Sequence, residues 1–158
     1  MAKYAATTSV SPEQRRGEIE RTLARYGATA FGYATTGDRA QVVFEMNGRR
    51  MRLDVALPDR ESREFTHLPP PRSYTSRSAA EAEKRYQQAV RQRWAALSLW
   101  IKAQCEAIDS EIVTAEQAFL GWVVLPDGLT LGEKLHPQLD AMYGSGDMPA
   151  LMPGVARA

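Results

Sequence analysis

The chain has 158 residues and a mass of 17.6 kDa, enough for one domain with its own core and hardly enough for two. At 44% hydrophobic and 25% charged it is neither a fibrous nor an intrinsically disordered sequence. One cysteine, Cys105, excludes a disulfide framework or a cysteine-built metal centre, and the two histidines, His67 and His136, are too far apart for a helical zinc-binding pair.

No metal and no other cofactor is expected. The longest apolar stretch, residues 119–125, falls far short of the ~20 residues that cross a bilayer. The first residues lack the apolar core of a secretory signal. A membrane is therefore not an expected partner, and a reducing cytoplasm is the expected compartment. The net charge of +1 conceals a segregation. Residues 1–104 hold 18 Lys/Arg against 11 Asp/Glu, a net of +7, and residues 105–158 hold 2 against 8, a net of −6. A basic end suits a phosphate backbone. It equally suits head-to-tail self-association with the acidic end of another copy, and both readings compete with ordinary solvated surface charge.

Residues 1–10 read as a flexible arm, residues 11–144 as a single α+β domain, and residues 145–158, rich in Gly, Pro and Ala, as a flexible tail whose Met148, Leu151 and Met152 are available to dock on a partner. Ser11-Pro12-Glu13-Gln14 is a capping box with proline where its missing N–H is harmless. The helix it opens carries Ile19, Leu23 and Tyr26 on one face and stops at Gly27. A three-stranded antiparallel meander follows at residues 29–35, 40–46 and 49–57. Asn47-Gly48 demands a two-residue type I′ turn, which fixes Phe44 opposite Met51, Val42 opposite Leu53 and Ala40 opposite Val55. These six belong to a buried face. Glu45 then faces Arg50 on a wet one.

Pro58, Pro69, Pro70 and Pro71 break regular structure over residues 58–77, which read as a flexible loop. Ser78-Ala-Ala-Glu81 opens the longest element, a helix uninterrupted from Ala79 to Asp109. Its apolar stripe is Tyr86, Val90, Trp94, Leu97, Ile101, Cys105 and Ile108. Leu99 and Trp100 lie off that stripe and need a second cover, from the last segment or a neighbouring subunit. Thr114-Ala-Glu-Gln117 and Thr130-Leu-Gly-Glu133 cap the two arms of a C-terminal helical hairpin. The second arm has Leu131, Leu135, Leu139 and Met142 inward and Gly144 at its end.

Glu18-Ile-Glu-Arg-Thr-Leu-Ala-Arg-Tyr-Gly27, Leu57-Pro-Asp-Arg60, Arg91-Gln-Arg-Trp-Ala-Ala-Leu97 with Ile101-Lys-Ala103, and Leu125-Pro-Asp-Gly-Leu-Thr130 resemble a family of small phage and prophage proteins. The resemblance implies a bacterial virus or mobile element and brings no site residue with it. The layout alone, a helix, a meander and a long helix across it, is similar to the core of single-strand annealing proteins, the class that includes RecT, Red beta and Erf. That likeness implies an oligomer holding one DNA strand in a basic groove.

No phosphate-binding glycine loop and no nucleophile elbow is present, Cys105 sits on a core stripe, and His136 precedes Pro137. Asp54, Asp59, Glu61 and Glu64 are too scattered to define a cation site, so no catalytic residue is expected and the chain does not read as an enzyme. The expected nucleic-acid-binding set is Arg49, Arg50 and Arg52 on the hairpin, Arg60, Arg63, Arg72 and Arg77 in the loop, and Lys84, Arg85 and Arg91 on the long helix, with Tyr74 and Tyr86 available to stack on bases. The expected function is single-stranded DNA binding or annealing in phage recombination or replication, as a homo-oligomer. The alternative is a small phage effector that binds and inhibits a host or defence protein.

Overall fold

A computed structural model describes residues 4–72 and 74–146. The chain is α+β, in the order α1 (Pro12–Arg25), β1 (Ala30–Thr36), β2 (Arg39–Met46), β3 (Arg49–Ala56), α2 (Arg63–Thr66), α3 (Ala79–Asp109), α4 (Ala115–Ala118), a 3-10 turn (Leu120–Trp122) and α5 (Leu131–Ser145). The capping box at Ser11 forms in both directions. At the other end of α1, Gly27 takes a φ of +93°. This lets Ala28 N–H reach the Leu23 carbonyl at 2.9 Å and Gly27 N–H the Ala24 carbonyl at 3.2 Å, which satisfies two carbonyls that the helix leaves open.

The sheet order is β1-β2-β3, antiparallel throughout. Phe44 faces Met51, Val42 faces Leu53, Ala40 faces Val55 and Glu45 faces Arg50, the register set by the Asn47-Gly48 loop. The first loop works in the mirrored sense, with a positive φ at Gly37 but not at Asp38, so it is the type II′ alternative for a two-residue hairpin. Strand β1 starts and ends one residue later than the aromatic pattern suggests, at Ala30–Thr36. One sheet face is buried under the helices in a single core that joins Ile19 and Leu23 of α1 to Val42, Phe44, Met51 and Leu53 of the sheet and to Val90, Trp94, Ile101 and Cys105 of α3.

The second cover for α3 comes from within the chain. Trp100 packs edge-on against Phe119 at 5.8 Å and Trp122 at 6.1 Å, and Phe119 in turn meets Phe44 at 5.3 Å. Leu99 stays about half exposed. The first arm of the expected C-terminal hairpin is shorter than its pattern suggests. Helix α4 ends at Ala118, and the β-branched pair Val123-Val124 is extended, so that Val123 bridges Met51 and Val124 N–H donates to the Arg50 carbonyl at 2.8 Å. Pairing with an open strand edge satisfies those backbone groups better than one more helical turn through Gly121. Helix α5 runs through Gly144 and is capped instead by Gly146, at φ +76°. Its Leu139 is exposed rather than inward.

Residues 58–77 are more than an open loop. They hold α2, whose Phe65 is buried and edge-on to Tyr86 at 6.0 Å, and a bridge between His67 and Ser76. In the arm, the Gln88 side chain donates to the carbonyls of Ala6 and Thr8. The docking residues Met148, Leu151 and Met152 lie outside the described residues.

Candidate functional site

Ten basic side chains were expected to line one track. On the hairpin, Arg50 bonds Glu45 at 3.0 Å. Arg52 is held by three acceptors: Asp54 at 3.1 Å, Glu133 at 2.6 Å and the Gly128 carbonyl at 2.8 Å. Arg49, at the tip, is exposed and has no ion-pair partner among the described residues. The second group gathers at the start of α3. Arg60 pairs with Glu83 at 2.8 Å, its guanidinium 4.5 Å above the Tyr86 ring. Arg77 and Arg85 share Glu81. The Arg77 side chain is only 3% exposed and also donates to the carbonyls of Glu64 and Phe65.

Arg91 bonds the neighbouring Gln88, Arg63 opens α2, and Arg72 and Lys84 are exposed. Of the two aromatics meant for bases, Tyr74 is exposed, whereas Tyr86 is part of the packing beneath Arg60. Five of the ten cations are thus committed to carboxylates of the same molecule. Among the described residues, no hydrogen bond or ion pair joins the hairpin group to the α3 group.

A basic trough does form elsewhere, between α1 and α3. Arg15, Arg25 and Lys102 line it with Glu18, Glu106 and Tyr26, around a cavity of about 390 Å³. Lys84, Arg91 and Lys102 fall on one face of α3, seven and eleven residues apart, close to whole helical turns. The trough is not purely cationic. Arg15 bonds Glu18 at 2.7 Å, and the Glu106 carboxylate beside the Tyr26 hydroxyl holds the Tyr26 pKa above its ordinary value. Arg15, Arg25 and Lys102 are not in the expected set; Arg15 stands four residues before Ile19 and Lys102 three before Cys105, a spacing that places both beside the apolar stripes.

The clearest concavity that the helices leave uncovered on the sheet is on its other face. Ala30 and Gly32 of β1, Val43 of β2 and Val124 line an apolar cleft of about 450 Å³, bordered by Glu45, Arg50 and Arg52. The small side chains of β1 make the floor: a Cβ added at Gly32 meets nothing within 4 Å. The wall at Val124 exists because Val123-Val124 joins the edge of β3. Arg52 fixes the far side by tying β3 to the turn before α5. There Glu133 accepts the Thr130 N–H, which with the Thr130 hydroxyl and Arg52 keeps its carboxyl below the usual range.

Cys105 is fully buried and burial, reinforced by the Glu106 charge, pushes its thiol up to about 11, so the thiolate is scarce at neutral pH. Among the described residues no group of three or more His, Cys, Asp or Glu side chains is placed to hold a metal ion, and no helix is long and apolar enough to cross a membrane. No known protein family, curated protein or solved structure matches the chain.

Proposed function

We propose that the protein is a non-enzymatic binding protein and that its partner is another protein, engaged by the open face of the sheet. The carrying observation is the contrast between the two candidate surfaces. Half of the basic side chains expected to meet phosphates are paired with carboxylates of the same chain, whereas the cleft at Ala30, Gly32, Val43 and Val124 presents apolar surface with a charged rim, the composition of a protein contact. The resemblance to phage and prophage proteins makes a bacterial host protein the expected partner class. Val43→Glu, in the floor of the cleft, should abolish retention of a host protein that the wild type and a Lys84→Glu/Arg91→Glu variant both retain.

Single-stranded nucleic acid binding is the second reading, favoured by the face of α3 that carries Lys84, Arg91 and Lys102. It predicts that a labelled oligonucleotide binds with an affinity falling steeply as salt rises from about 50 mM to about 200 mM. The protein-partner reading predicts no such binding. Salt-steep binding lost in Lys84→Glu/Arg91→Glu but kept in Val43→Glu overturns the first reading in favour of the second.

A further inference from the structure

The two edges of the sheet differ. The outer edge of β3 is occupied, since Val124 donates to Arg50 and Val123 bridges Met51. The outer edge of β1 has no strand beside it among the described residues. Edges left open in soluble proteins carry charged residues, proline or a bulge that discourages pairing. Strand β1, Ala30-Phe-Gly-Tyr-Ala-Thr-Thr36, has no charge and no proline over its seven residues.

The direction of its backbone groups follows from the hairpins. A two-residue loop is closed by a hydrogen-bonded pair, so Thr36 and Arg39 exchange bonds across Gly37-Asp38. With the register Ala30↔Glu45 to Thr36↔Arg39, residues 30, 32, 34 and 36 point their N–H and C=O groups at β2. Phe31, Tyr33 and Thr35 point theirs outward. The same alternation on β3 turns the Arg50 carbonyl outward, where Val124 meets it.

We infer that β1 pairs antiparallel with β1 of a second copy, about a two-fold axis at Tyr33, to make a six-stranded sheet. The outward set is symmetric about its middle member. Tyr33 pairs with Tyr33, and Phe31 pairs with Thr35 on both sides, so all six outward N–H and C=O groups find partners. The uncharged strand brings no like charges together, and a net charge of +1 per copy opposes association little. Above the seam, Arg16 lies 4.1 Å over the Tyr33 ring and is bonded to Glu13 at 2.8 Å, so the charge next to the axis is balanced within each copy. The occupied edge of β3 stops the sheet at two copies, which makes a closed dimer rather than a ribbon. The pairing also places two open faces, each with its cleft, side by side on one surface.

The test uses the full chain, purified alone. Sedimentation equilibrium should show the mass rising from 17.6 kDa toward twice that value between about 5 and 500 µM, the range of a modest interface. Hydrogen exchange should show the amides of Phe31, Tyr33 and Thr35 gaining protection with concentration, while those of Gly32 and Ala34 are protected throughout. Thr35→Pro removes an N–H that faces outward and is tolerated at an edge. It should return the protein to a monomer with its melting temperature unchanged at low concentration. Tyr33→Asp places two carboxylates across the axis and should do the same.

A chain that stays monomeric at about 500 µM overturns the inference. So does a dimer that survives both substitutions, or outward amides whose protection is independent of concentration, which would mean another part of the same chain covers the edge. None of these variants enters the cleft at Val43, so failure here leaves the partner-binding reading to its own test.

Discussion

Replacing Arg52 tests the claim that the hairpin arginines serve the fold. The side chain is 21% exposed and makes three charge-assisted contacts, to Asp54, Glu133 and the Gly128 carbonyl. Exposed ion pairs contribute ~0.2–1 kcal/mol each, and partial cover raises that toward the values of hydrogen bonds to charged groups. Arg52→Ala is therefore expected to cost about 1.5–2.5 kcal/mol. Arg52→Glu, which sets a carboxylate against Asp54 and Glu133, should cost about 1 kcal/mol more. For a domain of this length these are drops in Tm of ~3–10 °C for Arg52→Ala and ~5–14 °C for Arg52→Glu.

The pH dependence has a defined sign. The folded pKa of Glu133 is lowered from an ordinary 4.5, first by the Thr130 N–H and then by the Thr130 hydroxyl and Arg52. Its stabilisation is complete above that ordinary value and is lost as pH falls through the folded one. The gap between wild type and Arg52→Ala, measured by urea unfolding, should be full near pH 7 and shrink below about pH 4, without vanishing because the Gly128 contact does not titrate. An Arg52→Glu protein within about 0.3 kcal/mol of wild type near pH 7 would falsify the structural role. If the role holds, loss of any binding activity in Arg52→Glu reports a displaced α5 and says nothing about phosphates.

Gly132→Ala forces a Cβ to 2.7 Å from the Gly121 carbonyl oxygen; overpacking against backbone should cost ~1–3 kcal/mol in thermal unfolding. Glu111, the residue after the Ser110 C-cap of α3, has a φ of +57°, its neighbour Ile112 donating to the Ala107 carbonyl, so Glu111→Gly should raise Tm, with a gain of about 0.5–1 kcal/mol. Phe119→Ala removes a fully buried ring that touches Phe44 and Trp100 and should cost ~3–5 kcal/mol by denaturant titration. Cys105 should resist a thiol reagent at neutral pH, at a rate that follows global unfolding and rises in Phe119→Ala; fast modification of the native wild type would contradict its burial.

The parts of the fold written in short-range chemistry were legible. Ser11, Ser78, Thr114 and Thr130 each cap the helix they announce, and Asn47-Gly48 fixes a register in which every core pair is determined. What escaped depended on tertiary partners. Val123 reads as helix in a window with Phe119, Leu120 and Trp122, and it is extended because the edge of β3 offers backbone partners. Phe65 was hidden among prolines and charges, yet its ring fills the space beside Tyr86. The contact of Gly132 with Gly121 has no periodic signature at all, because it joins a 3-10 turn to a helix through the absence of two side chains.

The candidate site was less legible for a reason that lies in how charge is counted. A net of +7 over residues 1–104 is a one-dimensional sum, and folding redistributes it first among near neighbours. Arg16 finds Glu13, Arg15 finds Glu18 and Arg85 finds Glu81 at helical spacing, while Arg50 finds Glu45 across a hairpin. A run of arginines becomes a cationic surface only where acidic residues are missing at i±3, i±4 and across the strand pair. By that rule the hairpin and the start of α3, rich in interleaved Glu and Asp, are poor phosphate sites; along the stripe of Lys84, Arg91 and Lys102, Glu81 stands three residues before Lys84 and Glu106 four after Lys102, and Arg91 is the member with no acidic residue at those spacings. The rule also explains why β1 stands out. With no charge to neutralise and no strand beside its outer edge among the described residues, its unspent capacity is in the backbone, which recognises another strand and not a phosphate.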